Sequence, residues 1–328
     1  MNSNARRRLL GAALGALGLP GRARAQAPID SVRIVTGFPP GGTSDLICRR
    51  VADRLRGSYA RASVVDNKPG AGGQLAIEQM KIAPADGSVI LQTPASMLMI
   101  YPHIYRKLNY NPFEDVTPVS LGCTFAFGLG VGPQVPASVR NVPDFVAWCK
   151  ANPDKANFGS PAAGSVPHFL LSAMLEKATG VEIKHIPFRG SQAAILDMIG
   201  GQIAAVSAPE GEFLQHVKAG KVRLLATSGQ QRSRFAPDVP TYVEQGYRDV
   251  AAREWFGFFL PGKPSAEVLQ RTNAALRTAL ASLEVVEGLA IMALEAQSSS
   301  PGELANMLKA DYERWGPIVK SIGFTADS

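Results

Sequence analysis

The segment from Val32 to Asp45, VRIVTGFPPGGTSD, restricts the fold more than any other part of the sequence. It begins with β-branched residues, which favour a buried strand. Pro39-Pro40-Gly41-Gly42 then excludes both helix and regular strand, because proline lacks an N–H group and glycine permits left-handed backbone angles. Thr43, Ser44 and Asp45 are residue types that often begin helices. The segment therefore predicts a strand, a tight turn and a helix N-terminus.

Such a turn can bind an anion, because the first N–H groups of a helix are unpaired and lie at the positive end of its dipole. The segment has neither a Gly-Lys-Ser/Thr ending nor a G-x-G-x-x-G pattern, so it is not a phosphate fingerprint. The alternative interpretation is a βα connection without any ligand, which is common for short loops.

Two further βα units follow, with strands predicted at 61–66 and 88–92. Three such units in a short stretch predict a parallel sheet with helices on both faces. Ligands of these sheets bind at the carboxyl ends of the strands. The loops at 38–45, 67–73 and 93–96 are therefore predicted to lie at one edge of the sheet.

A second βα series and a returning strand predict two lobes. The second series ends near residue 227, and the apolar strand 255–260 precedes three C-terminal helices. We expect the chain to cross between the lobes near 121–131 and again near 255–260. The predicted fold class is α/β, with a ligand cleft between two lobes. The predicted boundaries are 1–25 for an export signal, 26–128 and 255–328 for lobe 1, and 129–254 for lobe 2.

The N-terminus has the three parts of a bacterial export signal: basic Arg6–Arg8, apolar Leu9–Leu19, and an A-x-A cleavage site ending at Ala25. The apolar run is too short to span a membrane. The leading arginines leave both Sec and twin-arginine export open. The signal predicts a periplasmic protein.

This signal also explains the net charge of +7. Removing residues 1–25 takes away five arginines and no acidic residue, which leaves 29 Lys and Arg against 27 Asp and Glu. A nearly neutral chain gives no reason to expect a nucleic-acid partner.

The cysteine pattern predicts neither a metal site nor a cofactor. Cys48, Cys123 and Cys149 have no Cys/His spacing that is typical of a metal site. Because their number is odd, at least one is unpaired within the chain. A Cys123–Cys149 bridge would be possible in an oxidising compartment, and the sequence leaves it open.

The chain resembles the periplasmic solute receptors of tripartite tricarboxylate transporters, also called the Bug family. The resemblance covers nearly all of the predicted mature chain, in the family's order. The matching runs are VRIVTGFPPGGTSDLICRRVADRL, VVDNKPGAGG, ADGSVILQT, YNPFEDVTPVSL, NFGS, HIPFRGSQAAILDMIGGQI, VKAGKVRLLATSG and WFGFFLPGKPSAEVLQRTN. The resemblance implies a two-lobed periplasmic binding protein fold of type II. It also implies capture of a small organic carboxylate and its delivery to membrane permease subunits. We expect the receptor to be a monomer.

The resemblance further implies which loops contact the ligand. We expect the ligand carboxylate to be held by backbone N–H groups and two helix dipoles, with Arg189 contributing less. The residues placed by the resemblance are Phe38, Pro40, Gly41, Gly42, Thr43 and Asp45 after the first strand, Thr93, Ala95 and Ser96 after the third, Ser160, Gly164, Ser165 and His168 at a helix start in lobe 2, and Phe188, Arg189 and Gly190 in a turn that usually reads Tyr-Lys-Gly.

Ala208 departs from the family pattern. The family usually has an acid there that faces the cleft and could meet a ligand ammonium group. The alanine therefore argues against an amino-acid ligand.

The sequence raises two other function classes. Ser165, His168 and Asp197 suggest a hydrolase triad, but serine and histidine in one helical turn cannot easily adopt nucleophile–base geometry. A G-x-S-x-G elbow is also missing, so we predict a binding protein and not an enzyme. The second hypothesis is a periplasmic adaptor that presents its closed lobes to the sensor kinase of a two-component system.

Overall fold

The computed structural model describes residues 27–321 and 323–326, which form one ten-stranded sheet with helices packed around it. The predicted export signal lies outside the described residues. No helix in the described ranges is long and apolar enough to cross a membrane. The strands are β1 (Ile29–Thr36), β2 (Ala60–Asn67), β3 (Val89–Pro94), β4 (Val116–Val131), β5 (Asn157–Ser160), β6 (Lys184–Pro187), β7 (Ala205–Pro209), β8 (Arg223–Thr227), β9 (Arg253–Pro261) and β10 (Glu295–Ala296).

Twelve α-helical segments are described, together with short 3₁₀ turns and one π-helical turn at Leu170–Leu175. The π turn joins α6 and α7, so residues 166–179 form one helical run. The α-helices are α1 (Thr43–Leu55), α2 (Gln74–Glu78), α3 (Ser96–Met99), α4 (Tyr101–Ile104), α5 (Val142–Ala151), α6 (Val166–Phe169), α7 (Glu176–Thr179), α8 (Ser191–Ile199), α9 (Gly211–Lys218), α10 (Ala266–Leu280), α11 (Leu283–Ala290) and α12 (Pro301–Ser321).

The sheet order is β2-β1-β3-β9-β4-β7-β5-β6, with β8 and β10 also paired to β4. β1 pairs in parallel with both β2 and β3. The carboxyl ends of these three strands therefore lie at one edge, together with the loops that follow them. The predicted common edge for the loops at 38–45, 67–73 and 93–96 is confirmed.

The long strand β4 joins the two halves of the sheet. Its residues 116–126 pair antiparallel with β9, whereas 127–131 pair with β7 and β8. The change of partner lies inside the stretch where the first crossing was predicted. β9 pairs only with β3 and β4 within the described residues, so we place the return crossing just before β9, next to the predicted stretch 255–260. From this pairing we infer lobe boundaries near residues 126 and 252.

Helix α1 covers the sheet of lobe 1 and positions the turn before it. Ile47, Cys48, Val51 and Leu55 recur at helical spacing and are buried, whereas the polar residues between them face outward. Their burial fixes where the N-terminus of α1 lies relative to the carboxyl ends of the strands.

All three cysteines are buried and unpaired, so the bridge that the sequence left open between Cys123 and Cys149 is not formed.

Candidate ligand-binding cleft

A cleft of about 390 Å³ lies where loops of both lobes meet. Lobe 1 contributes the turn before α1 and the start of α3. Lobe 2 contributes the loop after β5, the start of α8 and one residue of α9. Much of the wall is aromatic or aliphatic, which suits a ligand with an apolar body. The apolar lining consists of Phe38, Pro39, Pro40, Pro94, Phe125, Phe127, Pro161, Ala162, Ala193, Leu196, Pro209 and Phe256.

Eight of the residues placed by the family resemblance line this cleft. They come from four loops that are distant in sequence, and the fold brings them together. They are Phe38, Pro40, Gly42, Thr43, Ser96, Ser165, Arg189 and Gly190.

The remaining predicted residues do not line the cleft. One of them, Gly164, lies where the lobes meet, because a Cβ there would lie 2.5 Å from side-chain atoms of Tyr101 and Ile104 in lobe 1. Only a residue without a side chain permits this approach of the lobes. The residues that lie outside the cleft lining are Gly41, Asp45, Thr93, Ala95, Ser160, Gly164, His168, Phe188 and Ala208.

Asp45 stabilises the turn after β1. Its buried carboxylate accepts hydrogen bonds from Gly41 N at 3.0 Å, Asn67 Nδ2 at 3.0 Å and Arg49 Nε at 2.8 Å. Burial raises the pKa of Asp45, but the bonds from Arg49, Gly41 and Asn67 outweigh it and hold the pKa below its usual value. Its acceptor capacity is used by the chain's own donors.

A buried serine–histidine group supports the wall in lobe 2. Ser165 Oγ lies 3.1 Å from Ser160 Oγ, which lies 2.8 Å from His185 Nε2. The rings of His185 and His168 stack with centroids 3.8 Å apart and an interplanar angle of 8°. Burial lowers the pKa of His168 to about 4 and that of His185 to about 3, so both rings are neutral at pH 7.

This group does not have the geometry of a hydrolase triad. Ser165 Oγ lies 2.7 Å from the carbonyl oxygen of Ala162, and His168 Nδ1 is bonded to the carbonyl oxygen of Ala163. Asp197 is exposed on α8. No serine–histidine–aspartate relay connects these side chains.

Two glutamates in the cleft were not predicted. Glu212 is 3% exposed, and its Oε1 accepts hydrogen bonds from Thr43 N at 3.3 Å and Thr43 Oγ1 at 3.1 Å. Glu254 is 4% exposed and accepts a hydrogen bond of 2.8 Å from Ser96 N. Each carboxylate therefore occupies a helix start in lobe 1, that of α1 or of α3, which was predicted to contact the ligand.

The sequence contained one signal for these acids. Glu254 stands at the beginning of an otherwise apolar strand, EWFGFFL, where a charge has no obvious partner. Glu212 lies in the first turn of α9, where acidic residues are ordinary, so nothing local distinguishes it.

The start of α8 has a different electrostatic character. Gly190 is its N-cap, and no side chain caps the helix. Ser191, Gln192 and Ala193 line the cleft, as does the exposed Arg189. The first N–H groups of a helix have no intrahelical partner, so this terminus and Arg189 are the positive groups of the cleft. Glu212 lies beside them, because its Oε2 accepts a hydrogen bond of 3.0 Å from Gln192 Nε2.

Among the described residues, no group of His, Cys, Asp and Glu side chains could hold a metal ion.

The family model named tripartite tricarboxylate transporter family receptor matches residues 47–324 of this chain. The chain belongs to this family. It is 30% identical to protein BugT of Bordetella pertussis over 297 residues, which cover 90% of each chain. The family consists of periplasmic solute-binding receptors.

Solved structures agree with this assignment. The periplasmic binding protein BugD superposes with a TM-score of 0.84 at 26% identity, covering 92% of this chain and 100% of BugD. Rpa4515 of R. palustris, solved with adipate, superposes with a TM-score of 0.86 at 26% identity and the same coverage. The predicted α/β, two-lobed periplasmic binding fold is confirmed.

Proposed function

We propose that this protein is a periplasmic receptor that captures a small organic carboxylate and delivers it to the permease subunits of a tripartite tricarboxylate-type transporter. Membership of the receptor family supports this, as does the relative solved with adipate. The observation that carries the proposal is the uncapped N-terminus of α8, which lines the cleft beside Arg189.

In this proposal the ligand carboxylate binds the first N–H groups of α8. These groups are fixed by the helix and need no reorganisation when the anion arrives. Arg189 adds a weaker attraction, because it is exposed and screened by salt. The apolar walls exclude water from the ligand when the lobes close, as in other hinged binding proteins.

Titration calorimetry against di-, tri- and aromatic carboxylates tests the function. We expect at least one carboxylate to bind in the micromolar range or more tightly. Recovery of that ligand unchanged after long incubation is expected for a receptor, whereas turnover would contradict it. If no carboxylate binds, the carboxylate claim is wrong.

The binding site is tested by comparing Ser191→Pro with Ser191→Ala. Proline is tolerated at the first position of a helix, and the ψ of 158° at Gly190 is compatible with a following proline. The proline variant loses the backbone N–H of residue 191, whereas the alanine variant keeps it. We expect Ser191→Pro to weaken carboxylate binding by about 1–3 kcal/mol and Ser191→Ala to have a much smaller effect. Equal effects of the two variants would contradict the α8 site.

Arg189→Ala measures how much the positive charge of Arg189 contributes to the affinity for the carboxylate. We expect a loss of roughly 1 kcal/mol, about fivefold in Kd, that disappears at high salt. Arg140→Ala, which removes the same charge from an exposed position outside the cleft, is the matched control. A large loss that persists at high salt would indicate that charge, and not the helix terminus, holds the anion.

Location and partners are part of the proposal. Residues 1–25 would direct export by the Sec or twin-arginine route, and the receptor would work as a monomer. Cell fractionation and size-exclusion chromatography test these two statements. Deleting the gene should abolish uptake of the bound carboxylate. If deletion abolished only the transcriptional response to that carboxylate, the sensing-adaptor hypothesis would be favoured.

A further inference from the structure

The charge of the cleft is uneven, and its acidic part is deeply buried. Its lining includes two carboxylates, Glu212 and Glu254, and one basic side chain, the exposed Arg189. Within the described part of the chain, neither glutamate forms an ion pair. A buried carboxylate without a cation is costly, since neutral hydrogen bonds replace only part of its hydration.

Glu212 has its hydrogen-bonding capacity largely filled. Thr43 donates through its backbone N–H and its hydroxyl group, and Gln192 Nε2 donates to Oε2 at 3.0 Å. Burial raises the pKa of Glu212, and the bonds from Thr43, Gln192 and Ser191 oppose this. Glu212 therefore has little hydrogen-bonding capacity left for a ligand, and it occupies the N-terminus of α1.

Glu254 has fewer partners. Within the described residues, Ser96 is the only residue that donates a hydrogen bond to its carboxylate. Burial raises the pKa of Glu254 to about 7, Ser96 lowers it, and Asp311 on α12 raises it further. No cation of the described chain neutralises its charged form, and a cationic group of a ligand in the cleft would do so.

We propose that the ligand is a zwitterion, with a carboxylate at the start of α8, a protonated amine at Glu254 and an apolar body between them. This inference rests on the proposed function and narrows its ligand class. A dicarboxylate would bring a second negative charge into a cleft that already contains two carboxylates, Glu254 beside Ser96 and Glu212 beside Gln192. An amine would meet opposite charge there, and aromatic faces such as those of Phe125 and Phe256 also attract cations.

The proposal changes the interpretation of position 208. Ala208 is fully buried on β7 and does not line the cleft. Its lack of charge therefore says little about the ligand here, because Glu212 and Glu254 supply the acidic groups from other elements.

Matched probes separate a zwitterion from a dicarboxylate. Adipate and 6-aminohexanoate have the same chain length and differ in one terminal group, as do terephthalate and 4-(aminomethyl)benzoate. Calorimetry at pH 8, where Glu254 is mostly ionised, should show at least tenfold tighter binding of the amine in at least one pair. Hexanoate and 4-methylbenzoate, which lack the second charge, should bind more weakly than their amine counterparts.

Glu254→Gln tests whether the carboxylate of Glu254 causes the preference for the amine. We expect it to remove most of the preference for the amine, whereas binding of the monocarboxylates should not weaken, because the variant removes a negative charge from the cleft. Glu210→Gln is the matched control, because Glu210 is also buried and has a pKa raised by burial to about 7, but does not line the cleft. This control should keep the preference of the wild type.

The outcomes distinguish this inference from the function on which it rests. If the dicarboxylate binds as tightly as the amine or more tightly in both pairs, the zwitterion is overturned and the carboxylate receptor stands. A preference for the amine that survives Glu254→Gln would overturn the role of Glu254. If no probe that carries a carboxylate binds, the proposed function itself has failed.

Discussion

At the scale of single residues, three carboxylates near the helix starts of lobe 1 have different roles. Asp45 bonds to donors from its own turn, its own helix and the end of β2, so it stabilises the loop. Glu212 and Glu254 reach the starts of α1 and α3 from distant parts of the chain. The residue type is nearly the same in each case, and the surrounding donors determine its effect.

Asp45→Asn should destabilise the turn, although Asp45 itself does not line the cleft. The amide group places a donor against at least one of the donors from Gly41, Arg49 and Asn67, so a buried polar group is left unpaired. We expect a loss of about 1–3 kcal/mol in the free energy of unfolding, measured by urea denaturation. Asp53→Asn on the same helix is the control, because Asp53 is exposed and its ion pair with Arg56 lies at the surface. Similar losses in both variants would contradict this role of Asp45.

At the scale of elements, the first residue of α9 fixes how closely the lobes approach. A Cβ on Gly211 would lie 1.8 Å from the carbonyl oxygen of Met292, which belongs to the segment after α11 in lobe 1. A backbone atom cannot move aside as a side chain can. Because Glu212 is the next residue, any displacement of α9 also moves the carboxylate that bonds to Thr43.

Gly211→Ala should therefore oppose lobe closure. We expect ligand affinity to fall by roughly 1–3 kcal/mol, the scale of a steric overlap in a packed interface. Small-angle scattering should give a larger radius of gyration than the wild type when the ligand is present. Gly302→Ala is the control, since a Cβ there meets nothing within 4 Å and lies in a helix. Unchanged affinity and scattering for Gly211→Ala would show that this contact does not govern closure.

At the scale of the whole molecule, buried groups make stability depend on pH in two opposing directions. Burial raises the pKa of Glu176, Glu210 and Glu254 to about 7, so the stability that their protonated forms provide is lost as pH rises from 4.5 to 7. Burial lowers the pKa of His168 and His185, so their contribution is lost as pH falls below 6.5. The two trends oppose each other in mildly acidic solution.

Glu254→Gln separates these trends, because glutamine stays neutral at every pH. Relative to the wild type, the variant should gain roughly 2–3 kcal/mol of stability between pH 5 and pH 8. Urea denaturation of both proteins without ligand, at several pH values, measures this difference. The same difference at pH 5 and pH 8 would mean that Glu254 does not titrate in this range.

Much of the architecture could be predicted from the sequence. The β-branched run before Pro39 becomes β1, the glycine turn ends at Gly42, and α1 begins at Thr43. These features depend on neighbours within a turn or two, where proline and glycine restrict the backbone and β-branched residues favour strands. The order of the βα units then determined which loops meet at one edge of the sheet.

The electrostatics of the cleft depended on tertiary structure alone. The bond between Thr43 and Glu212 joins residues 169 positions apart, and the bond between Ser96 and Glu254 spans 158 positions. A helix start is recognisable from its own sequence, but its ligand is whichever acceptor the packing of the lobes brings to it. Because that packing sums many weak apolar contacts over both lobes, no local pattern encodes it, and the fold alone decided that the chain's own glutamates occupy two of the predicted anion sites.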